Sequence, residues 1–300
     1  MATQAVEATP PLISPGTIEP GAPLEQIWEA KGPTGDEVLF HPAIDPEGRI
    51  WAPVARANHF LIFDRDGNYL ESWGESGDGE GQFNFRHPWS DAFGGIAFAP
   101  DGSFYVSEGG NRRVQKFDPE RNFVLSWGSF GPAEDQFLAP DAVALDGVGN
   151  VYVHDDEPSV HKMFTSDGEF VRSFAEGSTP WVAVSPDGHV YAQMWERNVL
   201  NEYAPDGSLV RSIDLDGLAS LPRVADLEVD AQGRLWVSSV DEQGEIDVPD
   251  KLFVLDADGQ LLHRWDGTAV TQFVVDPAGD RIYTTFFRSP SLVAYAVPEE

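Results

Sequence analysis

Ile96-Ala97-Phe98, Pro100-Asp101-Gly102, Phe104-Tyr105-Val106, Val114-Gln115-Lys116-Phe117-Asp118 and Leu125-Ser126-Trp127-Gly128 follow one another in close succession. The apolar pieces are short, and Gly, Pro or Asp separates them. This is the pattern of four strands joined by turns. We label them a, b, c and d, from the inside of the fold outward.

The unit recurs along the chain. Strand a returns as Ala43-Ile44-Asp45, Val143-Ala144-Leu145, Val182-Ala183-Val184, Leu227-Glu228-Val229 and Phe273-Val274-Val275, which makes six copies. Strand b centres on Trp51, Tyr105, Tyr152, Tyr191, Trp236 and Tyr283, and strand c on Phe63, Phe117, Phe164, Tyr203, Leu255 and Tyr295. Large side chains at these places fill the wedge between sheets that splay outward from a common axis. Pro46-Glu47-Gly48, Pro186-Asp187-Gly188 and Pro277-Ala278-Gly279 join a to b. Asp66-Gly67, Asp167-Gly168, Asp206-Gly207 and Asp258-Gly259 join c to d, where Gly takes a positive φ at little steric cost.

Strand d has only five copies in register: Trp73, Trp127, Phe174, Ile213 and Trp265. The sixth is expected at Leu24–Ala30, because Gln26-Ile27-Trp28-Glu29 resembles Glu71-Ser72-Trp73-Gly74. The interval from Trp28 to Trp73 is 45 residues, the length of one repeat. The chain's start would then pair with its last sheet. The predicted fold is an all-β, six-bladed β-propeller of four-stranded antiparallel blades, closed by its N-terminal strand. Residues 1–23, rich in Pro and small polar residues, are expected to be a disordered, extended linker, and residues 24–300 a single propeller domain.

Glu108-Gly109-Gly110-Asn111-Arg112-Arg113-Val114-Gln115-Lys116-Phe117-Asp118 resembles the NHL repeat signature, as does Gly79-Glu80-Gly81-Gln82-Phe83 after Trp73-Gly74. The resemblance extends over residues 24–297. It is strongest in the first two blades, and it implies a six-bladed propeller. A further similarity is to propellers of the peptidyl-hydroxyglycine amidating lyase type. That similarity implies zinc held by histidines where inner strands begin, often just after a Pro. Here Pro140 is followed by Asp141, while His41 and His87 precede a Pro, so only His41 and His87 carry over. Calcium is the second metal the propeller resemblance brings, since sugar-lactone hydrolases on six-bladed propellers use such a site.

Composition narrows the partners. Fifty acids against 19 Lys and Arg give a net charge of −31, which disfavours nucleic acid and an acidic membrane face. Four Lys and abundant Asp suit either a high-salt habitat or an ordinary secreted protein. There is no Cys, which excludes disulfides and thiolate chemistry. No apolar run reaches the roughly 18 residues needed to span a bilayer. The opening residues lack the charged and apolar regions of a signal peptide. The expectation is an extracytoplasmic or secreted monomer without membrane insertion.

In a propeller the d-to-a and b-to-c connections share the face around the central channel, and loops on a rigid scaffold are where binding groups concentrate. Arg56, Trp89, Glu108, Asp141, Asp156, Trp181, Trp195, Arg197, Arg223 and Arg288 are the candidate ligand-binding residues there, suited to a peptide, protein, small molecule or glycan. His41, His87 and His154 lie near strand ends and are the candidate metal ligands, for zinc if their imidazoles converge. Asp64-Arg65-Asp66-Gly67 and Asp256-Ala257-Asp258-Gly259 resemble the start of a calcium loop but fall where c-to-d turns are expected. Ser159-Val160-His161-Lys162 matches Ser-x-x-Lys, with the Lys expected at the surface. No Gly-x-Ser-x-Gly elbow or phosphate loop is present. The leading functional reading is a binding propeller, and the alternative is a metal-dependent lyase or hydrolase with its site at the channel mouth.

Overall fold

The aromatic residues of strand b go deepest. Trp51, Tyr105, Tyr152, Tyr191, Trp236 and Tyr283 are all buried in the computed structural model. A buried Trp or Tyr needs a partner for its polar tip. In four blades the Asp that ends strand a supplies it. Trp51 and Trp236 donate their indole N–H to Asp45 and Asp230 at 2.8 Å, and the Tyr152 and Tyr283 hydroxyls donate to Asp146 and Asp276 at 3.1 and 3.2 Å. The same Asp residues organise the a-to-b turn, so turn and core are tied together by one carboxylate.

The structure describes residues 10–54, 57–86, 94–157, 159–195, 198–218, 223–240, 251–268, 270–286 and 289–298. They form six antiparallel four-stranded blades. Blade 1 is Ala43–Ile44, Ile50–Val54, His59–Phe63 and Tyr69–Trp73; blade 2 is Ile96–Phe98, Phe104–Glu108, Arg113–Phe117 and Phe123–Trp127. Blade 3 is Pro140–Leu145, Val151–Asp155, Val160–Phe164 and Phe170–Phe174; blade 4 is Ser178–Val184, Val190–Met194, Val199–Tyr203 and Leu209–Asp214. Blade 5 is Arg223–Val229, Leu235–Val240, Lys251–Leu255 and Leu261–Asp266. Blade 6 takes Gln272–Val275, Arg281–Thr285 and Ser291–Ala296, and its outer strand is Glu25–Lys31. Each strand a touches the next around the ring, blade 6 back to blade 1 included.

Closure is as the Trp28 pattern predicts. Glu25–Lys31 runs antiparallel to Ser291–Ala296, with Gln26 opposite Tyr295 and Trp28 opposite Ala294. Trp28 packs on Tyr283 at 5.7 Å and donates to the Arg65 carbonyl, so it also reaches blade 1. Residues 10–23 are extended but pinned. Leu12–Ile13 pairs in parallel with the outer strand of blade 4, and the Pro15 carbonyl and Gly21 N–H bond to Leu261 and Arg264 on the outer strand of blade 5. The strap satisfies edge groups that would otherwise face solvent.

Apolar side chains alternate between the two faces of each blade. Val153 joins the cluster shared with blade 2, whereas Tyr152 and Met163 join the one shared with blade 4. Period-two alternation therefore turns His154 and His161 towards blade 4. Lys162, expected at the surface, is buried. It faces the opposite way and donates to Asp155 at 3.0 Å and to the Ala133 and Gln136 carbonyls, a full set of partners that makes burial of an ammonium tolerable.

Candidate functional site

Two polar clusters lie under the face that carries the d-to-a and b-to-c connections. The first is centred on Glu108, at the end of strand b in blade 2. Its side chain is wholly buried. It accepts from Arg113 at 2.7 Å, Gln115 at 2.7 Å, Asn111 at 2.6 Å and the Asn84 backbone N–H at 3.0 Å. Arg113 also donates to the carbonyls of Asp78, Gly79 and Gln82 in the d-to-a loop from blade 1. That loop is shaped by Gly74, at φ +105°, over which Phe83 packs too closely for a Cβ. Blade 3 repeats the design with Gly128, Phe137, Asp155 and Lys162. Glu108 thus latches one blade to the next, and its lone pairs are spent.

The second cluster lies at the channel mouth, where residues from four blades meet. His41 enters strand a of blade 1 with its N–H bonded to the Gln272 side chain of blade 6. Its Nδ1 stands 3.6 Å from Asp226 Oδ2 on strand a of blade 5. Its ring lies 4.8 Å from that of Trp181 on strand a of blade 4. About a third of the His41 side chain stays open (32%), but it is enclosed by the inner strands. Its Nε2 is buried and has no partner among the described residues. Burial pushes the imidazole down to about 4, against the opposing pull of the Asp141 charge. Burial pushes Asp226 up to about 8, although the Phe273 and Leu227 N–H groups donate to it at 2.8 and 2.9 Å. Glu228, two residues on, is raised to about 8 as well, by burial first and then by Asp226 and Asp230. Glu228 keeps some surface open to water while protein surrounds it, as a group lining a narrow channel would.

Asp141 stands behind this mouth on blade 3. Its carboxylate takes the His154 Nδ1 at 2.8 Å and the Ala142 N–H at 2.6 Å. Burial works against a charge on His154, but the charge of Asp141 and its hydrogen bond outweigh this and raise the imidazole's affinity for a proton. His161 lies 4.8 Å from His154 in the same buried row, and burial together with the neighbouring imidazole holds it well down. Among the described residues His154 Nε2 and the Ser178 hydroxyl lack partners, and His161 makes only a weak contact with the Thr179 backbone.

The structure thus brings together His41, Trp181 and Asp141 of the sequence-derived candidates, with His154 behind. Asp156 and Trp195 lie on the b-to-c loops, Trp195 half exposed, and Arg223 begins strand a of blade 5. Arg56, His87, Trp89, Arg197 and Arg288 lie outside the described residues. A separate cavity of about 740 Å³ opens between blades 1 and 2, lined by Asn58, Ser76, Asp78, Asn84, Arg86 and Asn111 among others. Asp64 and Asp256 bond their own turn N–H groups, as c-to-d turns require.

Among the described residues no three His, Asp or Glu side chains are placed to share a metal ion. His154 spends Nδ1 on Asp141 and faces blade 4, so it does not join His41. The described residues therefore do not assemble the histidine zinc set. Asp226 and Glu228 carry chemistry that the shortlist of candidates left out. The signal was legible: Asp226-Leu227-Glu228-Val229-Asp230 puts acids on an inner strand that is mostly apolar in the other blades.

No family model matches the chain. Protein brain tumor of Drosophila melanogaster is 32% identical over 108 residues, 35% of this chain, and the chain spans only 10% of that protein's length. Among solved structures, a gluconolactonase from Xanthomonas campestris is 20% identical at a TM-score of 0.64, covering 88% of each chain. A catalytically inactive virginiamycin B lyase from Staphylococcus aureus, solved with quinupristin, is 10% identical at 0.58, covering 90% of this chain and 99% of its own. At such identities the likeness shows the fold alone. Among the described residues no helix is long and apolar enough to cross a membrane. The chain is a six-bladed β-propeller.

Proposed function

We propose that the chain binds a small polar molecule at the mouth of its central channel, with the His41–Asp226 pair able to pass a proton to or from it. One observation carries the reading. His41 Nε2 is buried without a partner while Nδ1 faces Asp226, and a buried polar atom left unpaired costs about 1–3 kcal/mol unless something satisfies it. At neutral pH the imidazole is a free base and the carboxyl holds its proton, so the pair offers an acceptor and a donor side by side. Trp181 supplies the apolar wall. A screen of small polar compounds by thermal shift tests this. Hits should weaken in His41→Gln and Asp226→Asn and persist in the exposed-loop variant Glu80→Gln. Hits indifferent to both channel variants would remove the channel mouth from consideration.

The cavity between blades 1 and 2 favours a second reading, binding of a glycan through the loop face. Its three Asn side chains are held in place by hydrogen bonds, Asn58 to Ser76 and Phe85, Asn111 to Gly77 and Asn84 to Arg86, so part of the cost of ordering them is already met. Loss of glycan binding in Asn84→Ala, with the channel variants unaffected, would select this reading over the first.

A further inference from the structure

We propose that the channel mouth takes an organic cation, a ligand carrying a primary ammonium or guanidinium group. This rests on the channel-mouth reading above and names its ligand class. Most buried acids other than Asp226 among the described residues carry a Lys or Arg, while Asp141 takes a proton donor from His154 at 2.8 Å and Asp146 takes donors from Asn150 and Tyr152. Asp45 has Arg49, Glu108 has Arg113, Asp155 has Lys162, Glu202 has Arg211 and Asp230 has Arg234, each within ion-pair distance. Asp226 and Glu228 have neither a Lys or Arg nor a side-chain donor within hydrogen-bond distance among the described residues, and Asp226 meets only the imidazole of His41, at 3.6 Å. An uncompensated buried carboxylate is costly, so these two hold their protons until a cation arrives.

The rest of the mouth suits the same ligand. An ammonium has three N–H donors; Asp226 offers carboxylate oxygens, and the unpartnered His41 Nε2, across the ring from the Nδ1 that faces Asp226, offers a further acceptor when Nδ1 carries the proton. The Trp181 ring packs on His41 at 4.8 Å and bounds the site with aromatic surface, and an aromatic ring attracts a cation more strongly when water is excluded. The net charge of −31 raises the local concentration of any cation. The groups that set the titration here are His41 from blade 1, Asp141 from blade 3, the Gln272 side chain and Phe273 N–H from blade 6, and Glu228 and Asp230 on the strand of Asp226. Trp181 of blade 4 adds no charge.

The test is calorimetry on the full chain with n-butylammonium chloride, 1-butanol as the neutral counterpart and calcium chloride as an inorganic cation. The ammonium should bind one per chain. At pH 7, in buffers of different ionisation heat, binding should release about one proton, because a carboxyl with a pKa of about 8 gives up its proton to pair with the ligand. Affinity should rise about a hundredfold from pH 6 to pH 9, as that carboxyl ionises. Both readings use the unaltered chain and need no variant to fold. Asp226→Asn should abolish the proton release and weaken binding about tenfold or more, while Glu80→Gln should do neither. No ammonium binding, or calcium binding in its place, would overturn the proposal. Butanol binding as tightly as the ammonium, and lost in Trp181→Ala, would overturn the ligand class and leave the channel mouth standing. Ammonium binding unchanged in both Asp226→Asn and Trp181→Ala would overturn both.

Discussion

Glu108 and Asp226 are both acids buried near the same face of one propeller, and they differ in what surrounds them. Glu108 accepts from three side chains and one backbone N–H, and its partner Arg113 ties three carbonyls of the neighbouring loop. Asp226 has two backbone donors and an imidazole 3.6 Å away, with no Lys or Arg at hand among the described residues. Burial raises both groups, but in Glu108 the charge and hydrogen bonds of Arg113 work against it, whereas only backbone donors do so in Asp226. A filled network is architecture, and an unfilled one is capacity for a ligand or a proton. The same contrast holds within blade 3, where Lys162 and Asp155 are saturated on one face while, among the described residues, His154 Nε2 on the other has no partner and His161 meets only the Thr179 backbone weakly.

The contrast can be broken by mutation. The largest effect is expected at Glu108→Ala, which strands Arg113, Asn111 and Gln115 in the interior. Urea unfolding should show a loss of about 3–5 kcal/mol, as for other buried pairs broken on one side. A loss under about 1 kcal/mol would mean the latch is not holding the blades together.

The next effect depends on pH. Asp226 has a raised folded-state pKa, so between about pH 4 and pH 8 the folded state holds a proton that the unfolded state has lost. Stability must therefore fall as pH rises through that window. Asp226 alone should account for about 2 kcal/mol of loss between pH 6 and pH 8. Asp226→Asn should flatten the urea midpoint over this range by that share, leaving the part due to Glu228, which has the same sign. A variant with the wild-type slope would show that Asp226 is ionised in the folded protein.

The smallest effect is expected at His161→Phe. The ring stacks on Phe174 and neither nitrogen makes a well-formed hydrogen bond, so an apolar ring of similar shape should change stability by under about 1 kcal/mol. A cost of about 2 kcal/mol or more would mean that the row from Asp141 to His161 is satisfied by a buried molecule, and would move it from the unfilled class to the filled one.

Much of this architecture was legible in the order of residues. Aromatic spacing, Asp-Gly turns and the misplaced Trp28 strand specify six blades and their closure, because each depends on local periodicity and on side-chain volume. The pinned course of residues 10–23 was not legible, since a Pro-rich segment reads the same whether it is free or laid along a blade edge. Nor could sequence tell Glu108 from Asp226. Glu108 ends a strand and Asp226 lies midway along one, but only contacts between residues far apart in the chain separate a carboxylate with four donors from one that no Lys or Arg reaches among the described residues. Periodicity is a property of neighbours along the chain and survives in the sequence. Desolvation and hydrogen-bond satisfaction are properties of neighbours in space, and they arise only once six blades have brought His41, Asp141, Trp181 and Asp226 around one axis.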